Sequence, residues 1–158
     1  MKRMVFSVLV DNIPGVLSRV TGLFSRRGYN IDSLTVGETE NSKFSRMTIT
    51  VTGETLTLEQ IEKQLAKLED VEEIIELEDA ESVTRELVLV KVQADRTERQ
   101  GIIAISNIFR AKVVDVSMDS MMIELTGNQA KLDKFINLLD GYKVLELVRT
   151  GITGLARG

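Results

Sequence analysis

Two eight-residue blocks of this chain carry the same strand pattern and open onto the same helix pattern. Arg46-Met47-Thr48-Ile49-Thr50-Val51-Thr52-Gly53 lies on Ser120-Met121-Met122-Ile123-Glu124-Leu125-Thr126-Gly127 without a gap. The register continues beyond the glycine, where Leu58, Ile61 and Leu65 meet Leu132, Phe135 and Leu139. Turn chemistry alone accounts for a shared Thr-Gly after a strand, but it does not account for a shared helix spacing. A chain that repeats in this way is built from two copies of one supersecondary unit. Its 158 residues suffice for two small domains.

The first copy shows the unit most clearly. Met47, Ile49 and Val51 alternate with Arg46, Thr48, Thr50 and Thr52, the period-two pattern of a sheet with one buried face. Further strands are predicted over 3–10, 31–38 and 71–78. Val16, Leu17, Val20, Leu23 and Phe24 recur at helical spacing and predict a helix over 15–27. Arg26, Arg27 and then Gly28 supply the basic last turn and the glycine stop of a helix end. Leu58, Ile61, Leu65 and Leu68 mark a second helix over 57–69. The order βαββαβ is the split arrangement of ferredoxin-like domains, with two helices over one face of a four-stranded antiparallel sheet. Its first and third strands are central. In the second copy, Leu87 to Val92 stands for the first strand, Ile102 to Phe109 for the first helix, and Val144 to Val148 closes the unit. The fold class is therefore α+β, with two ferredoxin-like domains in tandem, 1–79 and 80–158, joined near Asp79 to Thr84. A unit of about 80 residues has a modest core and gains from pairing with another copy.

Composition excludes several classes of function. The chain has no histidine and no cysteine. It thus lacks the usual base near neutral pH, the usual thiol nucleophile and the usual transition-metal ligands. The missing cysteines also fit a cytoplasmic protein. A net charge of −4 and 4% aromatic residues argue against a nucleic-acid surface, which needs a basic excess and stacking rings. No apolar run approaches the ~20 residues of a membrane span, and no signal peptide is recognisable. The expectation is a soluble, non-catalytic protein with no metal, nucleic-acid or membrane partner.

One segment points to a ligand. Asp11-Asn12-Ile13-Pro14-Gly15-Val16-Leu17 compresses a strand end, a polar turn and a helix start, and it holds the only proline of the chain. Proline suits the first turn of a helix, where its missing N–H is not needed. Glycine admits close approach to the backbone, and the free amides of a helix start attract carboxylates. The segment reads either as a pocket for a small carboxylate or as a plain strand-to-helix turn. At the same place the second copy reads Ala94-Asp95-Arg96-Thr97-Glu98-Arg99-Gln100-Gly101, with more charge and no Pro-Gly pair. That segment is either a solvated loop or a partner contact.

With these elements in place, the first half resembles an ACT domain, the amino-acid-sensing module of many biosynthetic enzymes. Leu17-Ser18-Arg19-Val20, Gly22-Leu23-Phe24-Ser25, Arg27-Gly28-Tyr29-Asn30-Ile31 and Ser33-Leu34-Thr35-Val36 are similar to the regulatory small subunits of acetohydroxyacid synthase, also called acetolactate synthase. Ser45 to Ile49, Gln60 to Leu65, Arg85 to Val92 and Arg149-Thr150-Gly151 extend the resemblance nearly end to end. It implies a non-catalytic protein that binds a catalytic large subunit, raises its activity and confers feedback inhibition by valine, or by isoleucine or leucine. Thiamine diphosphate, magnesium and FAD are then expected on the large subunit and no cofactor on this chain. The resemblance also implies a homodimer through ACT domains, with the effector between two chains. Asn12 and Gly15 match the loop side of that site, and Asn30 the residue offered by the partner chain.

The chemistry of the ligand agrees with those positions. An amino-acid zwitterion needs donors for its carboxylate, acceptors for its ammonium and a small apolar pocket. Backbone amides near Gly15 and Val16 supply donors, and Asn12 and Asn30 each carry a donor and an acceptor. Val16, Leu17 and Ile31 are the candidate apolar wall. The candidate effector-binding residues are thus Asn12, Ile13, Pro14, Gly15, Val16, Leu17, Asn30 and Ile31, with backbone contacts expected at Ile13 and Pro14. Two rival readings are weaker. A ligand-responsive DNA-binding regulator needs a helix-turn-helix or basic ribbon, and neither is left over once both domains are assigned. A small enzyme using Glu72 and Glu73 is disfavoured, because these residues alternate across a strand and fit its solvated side.

Overall fold

The computed structural model describes all residues, 1–158. The chain runs β1 (Lys2–Asp11), α1 (Val16–Arg26), β2 (Ile31–Glu38), β3 (Phe44–Gly53), α2 (Thr55–Ala66) and β4 (Val71–Glu76). A short 3-10 turn at Asp79–Glu81 leads to β5 (Ser82–Gln93), α3 (Arg99–Phe109), β6 (Lys112–Val116), β7 (Ser120–Gly127), α4 (Gln129–Leu138), β8 (Val144–Arg149) and β9 (Thr153–Ala156).

The first sheet has the order β2-β3-β1-β4, with β1 and β3 central and every neighbour antiparallel. Alternation along β1 and β3 sends Met4, Phe6, Val8, Met47, Ile49 and Val51 to one face. There they pack against Val16, Val20 and Phe24 of α1 and Leu58, Ile61 and Leu65 of α2. The end of α1 follows its sequence. Gly28, at φ 72, donates to Ser25 O at 3.1 Å, and Tyr29 donates to Phe24 O at 3.0 Å, the paired bonds of a Schellman stop. The second helix is shorter than its periodicity predicts. It closes at Ala66, yet Leu68 still packs on the core from the turn that follows.

The second sheet repeats the plan as β6-β7-β5-β8. Val88, Val90, Val92, Met121 and Ile123 face Ile102 of α3 and Leu132 and Phe135 of α4, and the rings of Phe109 and Phe135 meet edge to face at 5.4 Å. β6 and β9 are not among the predicted strands. Both are short, at five and four residues, and neither carries a clear alternation.

Two compact units result, Met1–Thr84 with Ile152–Gly158, and Arg85–Gly151. Where the sequence divides the chain once, near residues 79–84, the last seven residues pack with the first unit. The threonine side of β3 also differs from its reading as a solvated face. Thr48 and Thr50 are buried, and so is Ser7 beside them on β1. Ile152 lies on this same side, hydrogen-bonded to Ser33 and Thr35 of β2.

Candidate functional site

The loop between β1 and α1 is fastened at its first residues. Asp11 N donates to Asp70 O and Asn12 N to Lys43 O, both at 2.8 Å. The Asn12 carboxamide is also engaged. Its Nδ2 donates to Ser42 O and its Oδ1 accepts from Ser45 Oγ, each at 3.0 Å. Asn12 therefore ties the loop to the turn before β3, with one N–H and one lone pair left for another partner.

Gly15 sets where the helix begins. Its φ of 87 is left-handed, a conformation that glycine adopts without a Cβ penalty. Its carbonyl accepts the first helical bond, from Arg19 N at 3.1 Å. Pro14 consequently precedes the helix instead of standing in its first turn, because the left-handed residue after it cannot be helical. No side chain caps α1, and its first turn holds no acidic residue, so its leading amides remain available as donors. Arg19 brings positive charge to the same place. A Cβ built on Gly15 would stand 2.9 Å from Arg19 Nη1, and Arg19 Nε donates to Asp70 Oδ2 at 2.6 Å. Nearby, the Glu72 carboxyl is pushed above its usual range by a hydrogen bond with Asp11 and by the charge of that neighbour. Glu72 and Glu73 are both exposed.

The candidate apolar wall divides. Ile13 and Leu17 are 51% and 46% exposed beside the loop, whereas Val16 is 3% exposed and belongs to the core. Val16 offers its amide to a ligand and its side chain to the fold. Asn30 is exposed, and Ile31 packs partly on the core at the start of β2.

These two residues are not brought to the loop within one chain. Ile31 pairs with Val51 of β3, while Asp11 pairs with Phe44. From Phe44 to Val51 is seven steps along the strand, about 23 Å at ~3.3 Å each. Asn12 to Leu17 thus lie at one end of the sheet and Asn30 and Ile31 toward the other. β2 is an edge strand with β3 as its one neighbour.

The second copy treats the same place differently. Ala94 N donates to Asp119 O at 2.8 Å, as Asn12 N does to Lys43 O, but the residue there is a buried alanine. Asp95 then turns back on the helix start. Its Oδ1 accepts from Thr97 N, Thr97 Oγ1 and Glu98 N at 2.7–2.9 Å, and Glu98 Oε1 accepts from Asp95 N at 3.2 Å. This is a capping box. The hydrogen bond from Thr97 and those from the backbone hold the Asp95 carboxyl below its usual range. The charged loop of the second copy therefore closes on itself in the turn that leads into α3. The spacing of Asp95 and Glu98 is a readable sequence signal for that box. The roles of Arg19, Ser45 and Asp70 depend on contacts distant in the chain, which no local pattern signals.

No group of His, Cys, Asp or Glu side chains is disposed to hold a metal ion, and no helix is long and apolar enough to cross a membrane.

Comparison with known proteins matches both halves of the chain. Residues 6–73 match the acetohydroxyacid synthase small subunit-like ACT domain, and residues 85–158 the small subunit of acetolactate synthase. The acetolactate synthase small subunit of Mycolicibacterium smegmatis is 53% identical over 152 residues, 96% of this chain and 89% of that one. The probable acetolactate synthase small subunit of Methanothermobacter thermautotrophicus is 50% identical over 155 residues, 98% of this chain and 92% of the relative. The crystal structure of the acetolactate synthase small subunit from Thermotoga maritima superposes with a TM-score of 0.91 at 43% identity, covering 100% of this chain and 99% of that one. The chain belongs to the family of acetolactate synthase small subunits.

Proposed function

We propose that this chain is the non-catalytic regulatory partner of an acetolactate synthase large subunit in branched-chain amino-acid biosynthesis. It binds and activates that subunit in the cytoplasm and makes it sensitive to valine or a close relative. Acetolactate formation, with thiamine diphosphate, magnesium and FAD, belongs to the large subunit.

The observation that carries this reading is the contrast between the two helix starts. In the second copy, Asp95 fills the amides of the turn that leads into α3, those of Thr97 and Glu98, with its own carboxylate. In the first copy the amides are uncapped, Gly15 leaves the approach open, and Arg19 stands beside it. A ligand carboxylate at α1 would take the place that Asp95 takes in its own unit, with backbone donors and a nearby cation to hold it.

The separation of Asn30 from the loop favours a site shared by two chains. Glu38, the last residue of β2, pairs with Ser45, which bonds Asn12. If β2 pairs antiparallel with β2 of a second copy, the start of one strand lies beside the end of the other. Asn30 and Ile31 of the second copy would then reach the end of the sheet that holds Asn12. Such pairing would also satisfy the open edge of β2.

The test is reconstitution. The chain alone is expected to form no acetolactate from pyruvate, to sediment as a dimer, to raise the turnover of its large subunit and to render it valine-sensitive. Turnover by the chain alone, or a mixture that valine leaves unaffected, would overturn the proposal.

A further inference from the structure

The last seven residues leave the unit they follow and join the first. Gly151, at φ 92, redirects the chain after β8, and Ile152 enters the first unit with 3% of its surface exposed. Its backbone N–H donates to Ser33 Oγ at 3.4 Å, and its carbonyl accepts from Thr35 Oγ1 at 3.3 Å. Ser33 and Thr35 stand opposite Thr50 and Thr48 of β3, on the face away from α1 and α2, while Leu34 between them faces Ile49 in the core. Beyond Ile152, β9 pairs with β5, and Arg157 N donates to Glu81 O at 2.7 Å. The backbone packs so closely that a Cβ on Gly154 would lie 2.8 Å from Thr84 Cγ2 and 2.9 Å from Val83 O.

This strap bears on β2, an edge strand of the first sheet. β2 has one strand neighbour, and its ladder slips between Ile31 and Ser33. An irregularity of this kind re-aims the residues beside it, and here those residues are Ile31 and, one step earlier, Asn30. Ile152 grips Ser33 on the other shoulder of the slip. We infer that Ile152, held by the strap that follows it, is a positioning residue for the effector site: it fixes β2 beside the slip and so sets where Asn30 and Ile31 point. The inference rests on the reading of Asn30 and Ile31 as effector residues.

The experiment compares the full chain with a chain ending at Gly151, each reconstituted with the large subunit. Two further variants keep the chain length, Gly154→Val, which drives a side chain into Val83 O, and Ser33→Ala with Thr35→Val, which removes both bonds to Ile152. All are expected to activate the large subunit as the full chain does, with a valine midpoint raised at least tenfold. Amide exchange across Asp32 to Val36 should quicken at least tenfold, with β1 and β3 little changed. Ile152→Val, which keeps the backbone bonds and a buried apolar side chain, should leave both values within about twofold of the full chain's. If the shortened chain does not fold, the two full-length variants carry the same comparison. Native valine midpoints and native β2 exchange in those variants would overturn the inference. A full chain that itself ignores valine would instead overturn the effector reading, and β2 exchange would still report whether Ile152 holds the strand.

Discussion

Arg19 Nε donates to Asp70 Oδ2 at 2.6 Å, and this ion pair parks the guanidinium against Gly15. The pair spans two elements, since Asp70 lies just before β4 and its carbonyl also accepts from Asp11 N. The open turn at the start of α1 is therefore framed by a cation on the helix and a backbone bond beneath the loop. With Arg19 half-exposed and Asp70 mostly buried, solvent screening keeps its contribution to about 1 kcal/mol. Its consequence is placement of charge.

Gly15→Asp should place a carboxylate at the N-cap of α1. The new carboxylate would meet Arg19 and the leading amides of α1. A residue with a Cβ at φ 87 costs about 1–2 kcal/mol, offset in part by a new cap of about 1 kcal/mol. Chemical unfolding should show the variant folded and within about 2 kcal/mol of the parent. It should still activate the large subunit, because the change is local to the loop.

Asn12 and Ser45 should prove energetically coupled. Their bond at 3.0 Å joins the loop to the start of β3, and Ser45 is 8% exposed. Asn12→Ala and Ser45→Ala should each cost about 1–2 kcal/mol, and a double-mutant cycle should return a coupling near 1 kcal/mol. Urea unfolding of the four proteins measures it. Additive effects would mean that the bond does not form in solution.

Much of this fold is written locally. Alternation along β3 and the helical spacing of Val16, Val20 and Phe24 place the first core, and the Met47-to-Met121 match places the second. Gly28 marks the end of α1 because only nearby residues decide that stop. What is not legible depends on distant partners. Val16 fits a ligand wall and a core equally well by residue type, and packing against α2 and the sheet sends it to the core. Thr48 and Thr50 look solvated by their alternation, and their burial on the side where Ile152 bonds Ser33 and Thr35 emerges only from the fold. Asn12 and Asn30 are recognisable as polar loop residues, but their separation emerges only from the strand register.

In the second unit, Arg149 holds Glu86 through two bonds, at 2.7 and 3.1 Å, and Asp133 through one at 2.8 Å. Gly151 N also donates to Glu86 at 3.1 Å. With Glu86 6% exposed, Arg149→Met would strand a buried carboxylate at a cost of about 3 kcal/mol. Adding Glu86→Gln should recover part of that loss. Thermal and urea unfolding of the single and double variants provide the comparison.

Acid should reveal the Asp95 cap. A carboxyl whose folded-state pKa is depressed contributes its stability above the unfolded-state value and loses it as pH falls through the lower folded-state value. The bonds from Thr97 and Glu98 give Asp95 that sign. Asparagine caps a helix about as well and does not titrate. The stability advantage of the parent over Asp95→Asn should accordingly shrink below about pH 4. Melting temperatures taken from about pH 6 to about pH 2 would show it, and parallel curves would exclude the effect.

The most direct test of an uncapped helix start as an effector site is calorimetric titration of valine into the full chain and into Gly15→Asp. Loss of one or two charge-assisted hydrogen bonds, at roughly 1.5–3 kcal/mol each, corresponds to at least a tenfold fall in affinity. The parent should give a saturable isotherm, and the folded variant should bind at least tenfold more weakly or not at all. A parent that gives no saturable binding, or a folded variant with the parent's isotherm, would contradict the site.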